Sequence, residues 1–283
     1  MTELMVRGST ATCDKAISFI DLEKYKIDDR DSSEYRTLIE HCREQLRKQG
    51  ACVLKGFIKA DVVAQMVDEA MELAPTAFHN TVTGNAYLTE IDESWPQDDP
   101  RRLTDTTSLG AIGYDQMPTN SLVRTLYEWD GLMDFLADAL GKERIYRYAD
   151  PMGALNIATM KDGDYLRWHF DQTDFVTTIL LQPAEKGGEY EFVPMIRSGE
   201  NPNYDHVRRV LSGSTEGVVT LEIEPGSLVL FEGRNSLHRV TRIEGEVTRL
   251  IALLGYDTKP GTLSSEYLRK MRYGRSEPID SSK

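Results

Sequence analysis

Two histidines and one aspartate have the residue types and spacing of a metal site. One residue separates His169 from Asp171 in the stretch Trp168-His169-Phe170-Asp171. On a β-strand, residues i and i+2 point to the same face, so the imidazole and the carboxylate would project side by side while Phe170 points away. His238 lies in another short apolar run and can add a second imidazole from a distant strand. The three side chains together predict one bound metal ion.

Two histidines and a carboxylate are typical of non-haem Fe(II) sites that keep positions open for a co-substrate and dioxygen. The H-x-D pair alone is a weak signal, but its surroundings strengthen it. Between Asp171 and His238 there is room for barrel strands, and 225–231 predicts a turn and a strand just before His238. Arg249 begins a final apolar strand and shares a face with Ile251. A buried arginine there needs an anion, and its planar fork suits a carboxylate.

The N-terminal half of the chain is predicted to be mainly helical. Residues 1–15 lack periodicity and read as a loose tail, while 16–150 form a helical buttress with active-site loops. The stretch 76–118 has no clear period and indicates either a functional loop or an unrecognised element. The predicted elements are a strand at 16–22, a helix at 33–49, a strand at 51–57, a helix capped by Asp61 and ended by Pro75, and a helix at 120–140.

The second half predicts a β-sandwich. Eight short alternating runs lie between 154 and 256, most of them separated by turn dipeptides, with a helical insertion at 203–211. Strands that follow a helical half indicate an α+β fold, a jelly roll of the cupin-like, double-stranded β-helix type with the N-terminal helices packed against it. We expect one domain over 1–283, with its jelly-roll core at 151–258 and a C-terminal extension at 259–283.

The pattern H-x-D…H…R resembles the 2-oxoglutarate/Fe(II)-dependent oxygenases, and the match covers residues 154–256 well. Within that superfamily, RWHFDQTDF, LLQPAEKGGEYEFVP and SLHRVTR are most similar to hydroxylases and radical halogenases of free amino acids. The resemblance implies Fe(II), 2-oxoglutarate and O2, with release of succinate and CO2. It implies His169, Asp171 and His238 as iron ligands, Arg249 as the clamp on the far carboxylate of 2-oxoglutarate, and Asn156 and Thr178 as further contacts for that co-substrate.

Asp171 bears on which reaction this resemblance implies. Halogenases of this type have Gly or Ala there, and a halide takes the vacancy, whereas this chain keeps the carboxylate. Hydroxylation of a free amino acid or a similar small molecule is therefore expected, with desaturation, ring closure or a peptide substrate as alternatives. The polar residues that a lysine side chain would need are not evident around the H-x-D strand. Arg101 and Arg102 are candidates for binding a substrate carboxylate, or else solvated counter-charges.

Composition excludes several other classes. The net charge is −13, and residues 61–100 hold nine acids and no Lys or Arg, which disfavours nucleic acid and anionic membranes as partners. Cys13, Cys42 and Cys52 suggest no disulfide framework, and neither a signal peptide nor a membrane span is evident, so a cytoplasmic location is expected. Two further alternatives are a Zn or Mn cupin with another activity and a catalytically silent binding barrel. Arg249 argues against the first, and the intact triad argues against the second.

Overall fold

A computed structural model describes residues 15–279 of the chain; nearly all of the predicted tail 1–15 lies outside this range. The helices are α1 (Ser33–Gln49), α2 (Ala60–Leu73), α3 (Leu122–Glu128), α4 (Asp130–Ala139), α5 (Tyr204–Leu211) and α6 (Glu266–Tyr273). Helix α1 has the predicted bounds because both of its ends are capped. The Ser32 side chain accepts a hydrogen bond from the Tyr35 backbone N–H, and Gly50 ends the helix with φ 67°.

The helical half departs from the sequence prediction in its local turns. Helix α2 begins at Ala60 after Lys59, so the prediction that Asp61 caps it is wrong, although an acid in the first turn still suits the helix dipole. The predicted strand at 16–22 is also wrong: of its residues, only Ile20 makes a β-bridge, to Ile58. The Asp21 side chain accepts hydrogen bonds from the next residues and turns the chain there.

The predicted helix at 120–140 is two helices. Trp129 has φ −76° and ψ 121°, an extended conformation that separates α3 from α4. A side chain at Gly131 would meet the indole ring of Trp129 at 2.2 Å, so the break depends on glycine at that position. Apolar positions continue through the break because both helices bury apolar residues in the same core, which explains why the sequence predicts one element.

The strands form two main sheets, which confirms the predicted α+β jelly-roll class. The larger sheet has the order β1-β10-β7-β12-β5-β3-β2, the smaller β6-β11-β8-β9, and β13 pairs with β4. Their bounds are β1 (Ala51–Leu54), β2 (Phe78–Asn85), β3 (Thr104–Gly113), β4 (Tyr146–Arg147), β5 (Leu155–Met160), β6 (Leu166–His169), β7 (Val176–Gln182), β8 (Tyr190–Val193), β9 (Val219–Leu221), β10 (Leu228–Phe231), β11 (Leu237–Val240), β12 (Arg249–Leu254) and β13 (Tyr256–Asp257). The division into one domain with the boundaries given above stays a prediction.

Side chains along β12 point alternately into the core shared with the helices and into the interior of the barrel. Leu250, Ala252 and Leu254 join the large apolar core shared with the helices. Arg249 and its neighbours at i+2 and i+4 therefore point to the inner face, towards the smaller sheet. Cys42 and Cys52 are free and buried, as expected of small core residues, whereas Cys13 lies outside the described range. No helix within residues 15–279 is both long enough and apolar enough to cross a membrane.

The C-terminal segment is held against the barrel by Asp150. This carboxylate is fully buried and accepts hydrogen bonds from the backbone N–H of Met152, Gly153 and Ser264, and from Nε of Arg269 at 3.1 Å. Burial alone would raise its pKa, but the backbone donors outweigh burial and lower it. Asp150 thereby joins the entry of β5 to helix α6.

Asp150→Asn is expected to loosen α6. The substitution removes the charge that holds the Arg269 side chain, so the free energy of unfolding should fall by about 1–3 kcal/mol. Because the folded pKa is lowered, this stabilisation is present above the ordinary Asp pKa of about 3.9 and is lost as pH falls through the folded value. Denaturation and hydrogen exchange of 266–273 would measure the effect at neutral pH, and wild type and variant should converge in acid. Unchanged exchange in α6 would contradict it.

Candidate metal centre

The structure brings His169, Asp171 and His238 together. His169 ends β6 and lies opposite His238 on β11, so the two imidazole rings are 4.1 Å apart between centroids. Asp171 Oδ1 is 3.7 Å from His169 Nε2, and Asp171 Oδ2 is 3.5 Å from His238 Nε2. The three donor atoms lie within 4.8 Å of one another. One small cation can therefore contact all three.

Backbone carbonyls fix the tautomer of both histidines. Nδ1 of His169 is 2.9 Å from the Arg167 carbonyl oxygen, and Nδ1 of His238 is 2.9 Å from that of Ser236. A carbonyl can only accept, so each Nδ1 carries the proton and each Nε2 presents a lone pair to the site. Burial, and then the neighbouring His238, lower the pKa of His169 to about 3. The His169 imidazole is therefore neutral and ready to ligate at neutral pH.

Asp171 carries a charge that the described residues do not fully satisfy. Its side chain is 18 % exposed, and Oδ2 has no hydrogen-bond partner within residues 15–279. Burial would raise the pKa of this carboxyl, but His238, His169 and Arg272 together lower it, so it stays ionised. An ionised oxygen facing two Nε2 lone pairs is costly without a cation. The donor set thus fits a divalent metal ion.

Gly233 makes room for the Asp171 carboxylate. The Asp171 backbone N–H donates to the Gly233 carbonyl oxygen at 3.1 Å, and a Cβ on Gly233 would lie 1.7 Å from Asp171 Oδ2. No atom can occupy that position without displacing the carboxylate. The sequence gives no periodic signal for this role, because the contact joins two loops that lie far apart along the chain.

Gly233→Ala is expected to displace the Asp171 carboxylate and weaken metal binding by more than about 10-fold, the lower range for lost supporting contacts at metal sites. Anaerobic titration with Fe(II) or Co(II) measures it. Gly199→Ala is the matched control, because a Cβ there meets nothing within 4 Å. In an Asp171→Gly background, Gly233→Ala should cost little, and an equal loss in both backgrounds would contradict the steric account.

Arg249 lies buried on the inner face, 3 % exposed. Its Nε donates to the Gly188 carbonyl oxygen at 3.2 Å, and Nη1 lies 3.9 Å from Met160 Sδ. Burial lowers the pKa of its guanidinium to about 10, which still leaves it charged at neutral pH. No carboxylate within the described part of the chain pairs with it. A buried, unpaired guanidinium fits an incoming anion.

Tyr190 packs against the metal centre and interacts electrostatically with both Asp171 and Arg249, and the sequence prediction missed it. Its ring stacks on that of His238 with centroids 5.6 Å apart. Burial, and then the negative charge of Asp171, raise the pKa of the Tyr190 phenol, whereas the positive charge of Arg249 lowers it. Tyr190 therefore interacts electrostatically with both charged groups. The hydroxyl stays protonated and can donate between the two charged sites.

Asn156 and Thr178 lie at one level of the barrel, because both pair with Leu253 in the register of β12 with its neighbours. Asn156 lines a cavity beside the metal centre, and its Oδ1 accepts from Arg272 Nη2 at 3.2 Å. Thr178 is partly buried on the same face. The roles of both residues in co-substrate binding stay predictions.

Arg101 and Arg102 are engaged outside this cavity. Arg101 donates to both Asp99 carboxylate oxygens, at 2.9 and 2.7 Å, and its guanidinium lies 3.8 Å from the Trp95 ring centroid. Arg102 donates to the carbonyl oxygens of Glu93 and Trp95. Neither residue is in the cavity lining, so their role in binding substrate stays a prediction without a supporting contact in residues 15–279.

The cavity beside His169 and Asp171 measures about 370 Å³. It is lined by β2, β3, β5, β6 and β12 together with the C-terminal segment. Arg167 on β6 and Arg272 on α6 contribute guanidinium groups to its wall. The sequence prediction missed both, because neither belongs to a motif and Arg272 reaches the site only through the fold of the extension.

Solved structures with the same fold are distant in sequence. The non-haem alpha-ketoglutarate-dependent epimerase SnoN from nogalamycin biosynthesis is 14 % identical with a TM-score of 0.55, covering 87 % of this chain and 92 % of that one. A 2OG-Fe(II) oxygenase family oxidoreductase from Burkholderia pseudomallei is 15 % identical (TM-score 0.50; 79 % and 92 % covered). A prolyl hydroxylase from Trichoplax adhaerens, in complex with a hypoxia-inducible-factor peptide, is 16 % identical (TM-score 0.51; 79 % and 90 % covered).

These likenesses establish the fold, which is the jelly roll that the strand pattern predicts. No curated protein matches the chain. The family model described as Halogenase D matches residues 35–270, which include the whole triad, Arg249 and most of α6. The chain therefore belongs to the Halogenase D family.

Proposed function

We propose that this protein is an Fe(II)- and 2-oxoglutarate-dependent oxygenase that hydroxylates an unactivated C–H bond of a free amino acid or a similar small molecule. The observation that carries the proposal is the convergence of two imidazole Nε2 atoms and one ionised, unsatisfied carboxylate beside a cavity. Fe(II) is the cofactor of this site, and 2-oxoglutarate and O2 are its co-substrates.

The overall reaction balances as substrate C–H plus 2-oxoglutarate plus O2, giving substrate C–OH plus succinate plus CO2. One oxygen atom enters the product hydroxyl and the other enters the succinate carboxylate. O2 is the oxidant: it takes two electrons from 2-oxoglutarate as CO2 leaves and two from the substrate C–H bond, and a bound Fe(II) would supply the site of O2 activation. The protein supplies placement and a mostly apolar cavity.

Residues at two ends of the barrel would place the metal ion and 2-oxoglutarate. His169, Asp171 and His238 would hold the metal from one side and leave the other side open. Arg249 would pair with the far carboxylate of 2-oxoglutarate. Tyr190 would donate a hydrogen bond to 2-oxoglutarate, at the part of the molecule between that carboxylate and the metal. Placing the co-substrate in this way turns an encounter in solution into an oriented contact.

Asp171 favours hydroxylation over halogenation, the activity that the family's description names. A halide would need the coordination position that this carboxylate fills. Gly233 is consistent with the same conclusion, because a Cβ there would lie 1.7 Å from Asp171 Oδ2 and displace the carboxylate. Desaturation or ring closure of the substrate is the alternative use of the same oxidation.

A panel of amino acids tests the proposal. The protein is incubated with Fe(II), 2-oxoglutarate and O2, with and without chloride or bromide, and succinate and product mass are measured. We expect succinate release and a product with one added oxygen, whether or not halide is present. A halogenated product would contradict hydroxylation, and a product lacking two hydrogens would indicate desaturation or ring closure. If succinate stays at the level of the iron-free control with every substrate, the proposal is contradicted and a metal-binding barrel without oxygenase activity is favoured instead.

A further inference from the structure

The cavity beside the metal centre has more positive charge than the metal site needs. Arg167 and Arg272 both line it, and Nε of each is buried with no hydrogen-bond partner in the described chain. Neither forms an ion pair with an acid within residues 15–279. The only acidic residue in the lining is Asp171, which faces the two imidazoles. Unpaired buried guanidinium groups are costly unless a ligand supplies the anion.

Arg272 is the more exposed of the two to an incoming ligand. Arg167 Nη1 is already occupied by the Thr107 hydroxyl at 3.0 Å and the Val82 carbonyl at 3.3 Å. Within residues 15–279 Arg272 makes one hydrogen bond, from Nη2 to Asn156 Oδ1 at 3.2 Å, so Nε and Nη1 remain as unpaired donors for an anion. Its charge also reaches the metal centre, since it helps to lower the pKa of Asp171.

Arg272 and Arg249 serve different ends of the barrel. In the register of β12 with β5, Arg249 lies opposite Met160 and Leu253 lies opposite Asn156. Asn156 is the residue whose side chain accepts a hydrogen bond from Arg272. Four residues along β12 separate these levels, or about 13 Å at roughly 3.3 Å per residue. Two anions can therefore be held at once, one at each arginine.

The rest of the cavity wall is mostly apolar and lacks a second acid. Its apolar side chains come from both sheets, the loop after β2 and α6. They are Val82, Leu88, Leu109, Leu166, Phe175, Val176, Leu253, Leu254, Leu268 and Met271. A cationic substrate side chain would meet two guanidinium groups and no free carboxylate in this lining.

We infer that Arg272 on the C-terminal helix binds the carboxylate of the substrate, and that the cavity selects small carboxylates whose remaining chain is uncharged. The inference rests on the proposed function and narrows its substrate class. Leucine-like and norvaline-like chains fit the apolar wall, whereas lysine and ornithine are excluded by charge. Arg272 is a binding residue here, and α6 is part of the active site.

Arg272→Met tests the anchor, with Lys270→Met as the matched control. Lys270 loses the same charge from the same helix, but its side chain is 60 % exposed and pairs with Glu266 away from the cavity. We expect Arg272→Met to weaken binding of L-leucine or L-norvaline about 10- to 100-fold, the value of a charge-assisted pair. Lys270→Met should bind as wild type does.

Matched ligands separate the carboxylate from the rest of the molecule. Binding to the protein loaded with Co(II) and 2-oxoglutarate is measured by calorimetry for L-leucine, L-leucinamide, L-norvaline and L-lysine. We expect the two uncharged-chain carboxylates to bind, and the amide and lysine to bind at least about 10-fold more weakly. Preference for lysine or for the amide, equal binding by Arg272→Met, or no binding by either carboxylate would overturn the inference.

Failure of this inference is distinguishable from failure of the proposed function. Succinate formed from 2-oxoglutarate and O2 without any amino acid, with ascorbate added to reduce the second oxygen atom to water, requires the metal centre and Arg249 but not the substrate anchor, and it should be lost in Asp171→Ala in halide-free buffer. If that activity is present while Arg272→Met binds carboxylates as wild type does, only the anchor is wrong. Hydrogen exchange over 266–273 verifies that α6 stays folded in the variant.

Discussion

In halide-free buffer, Asp171→Ala is expected to abolish both hydroxylation and succinate formation. The variant keeps two imidazoles and removes the carboxylate that supplies negative charge at the metal centre. Metal affinity and activity should therefore each fall by more than about 100-fold, the upper range for removing a residue that only supports a metal ligand. The pair of Nε2 atoms would still face the site, since their backbone partners on Nδ1 are untouched. Activity would be measured as succinate release, and metal affinity by anaerobic Co(II) titration.

Asp174→Ala is the control for this first prediction. Asp174 lies three residues along the same loop, and its side chain is 58 % exposed and pairs with Arg234 at the surface. It should keep wild-type activity. Full turnover by Asp171→Ala would show that Asp171 is not a metal ligand. Wild-type metal affinity in this variant would show the same.

Arg249→Ala is expected to raise the 2-oxoglutarate requirement sharply. Losing one partner of a buried charge pair costs about 2–5 kcal/mol, which corresponds to about 30-fold or more in affinity. The maximal rate at saturating 2-oxoglutarate should fall less than the affinity does, because the metal ligands stay in place. The KM for 2-oxoglutarate and its Kd under anaerobic conditions would measure the effect.

Arg249→Lys provides a graded comparison. Lysine keeps the charge but loses the planar fork, so its 2-oxoglutarate affinity should fall between those of wild type and the alanine variant. Equal dependence on 2-oxoglutarate in all three proteins would place the co-substrate's far carboxylate elsewhere, with Arg167 and Arg272 on the cavity wall as the candidates.

Residues with a local periodic signal were predictable from the sequence. His169 and Asp171 share a face because a strand alternates, and Arg249 is on the inner face for the same reason. Helix α1 was predictable because Ser32 and Gly50 mark its ends. Alternation and capping are properties of a few neighbouring residues, so one sequence is enough to show them.

Features that depend on contacts across the fold were not predictable. Strands β2 and β3 were missed because they form a largely polar, partly exposed antiparallel pair, rich in Thr, Asn and Gly, at one side of the larger sheet. Gly233 acquires its role only when its loop meets Asp171, and Arg272 only when Asp150 fixes the C-terminal segment. No spacing rule joins these residues, because their contacts span long separations in sequence.

The central claim is that His169, Asp171 and His238 hold one Fe(II) ion. An anomalous difference map at the iron edge, from crystals grown without oxygen in Fe(II) and 2-oxoglutarate, tests it most directly. We predict one iron peak within coordination distance of His169 Nε2, His238 Nε2 and an Asp171 carboxylate oxygen, with the far carboxylate of 2-oxoglutarate on Arg249. An iron peak elsewhere, or one that lacks contact with Asp171, would contradict the account.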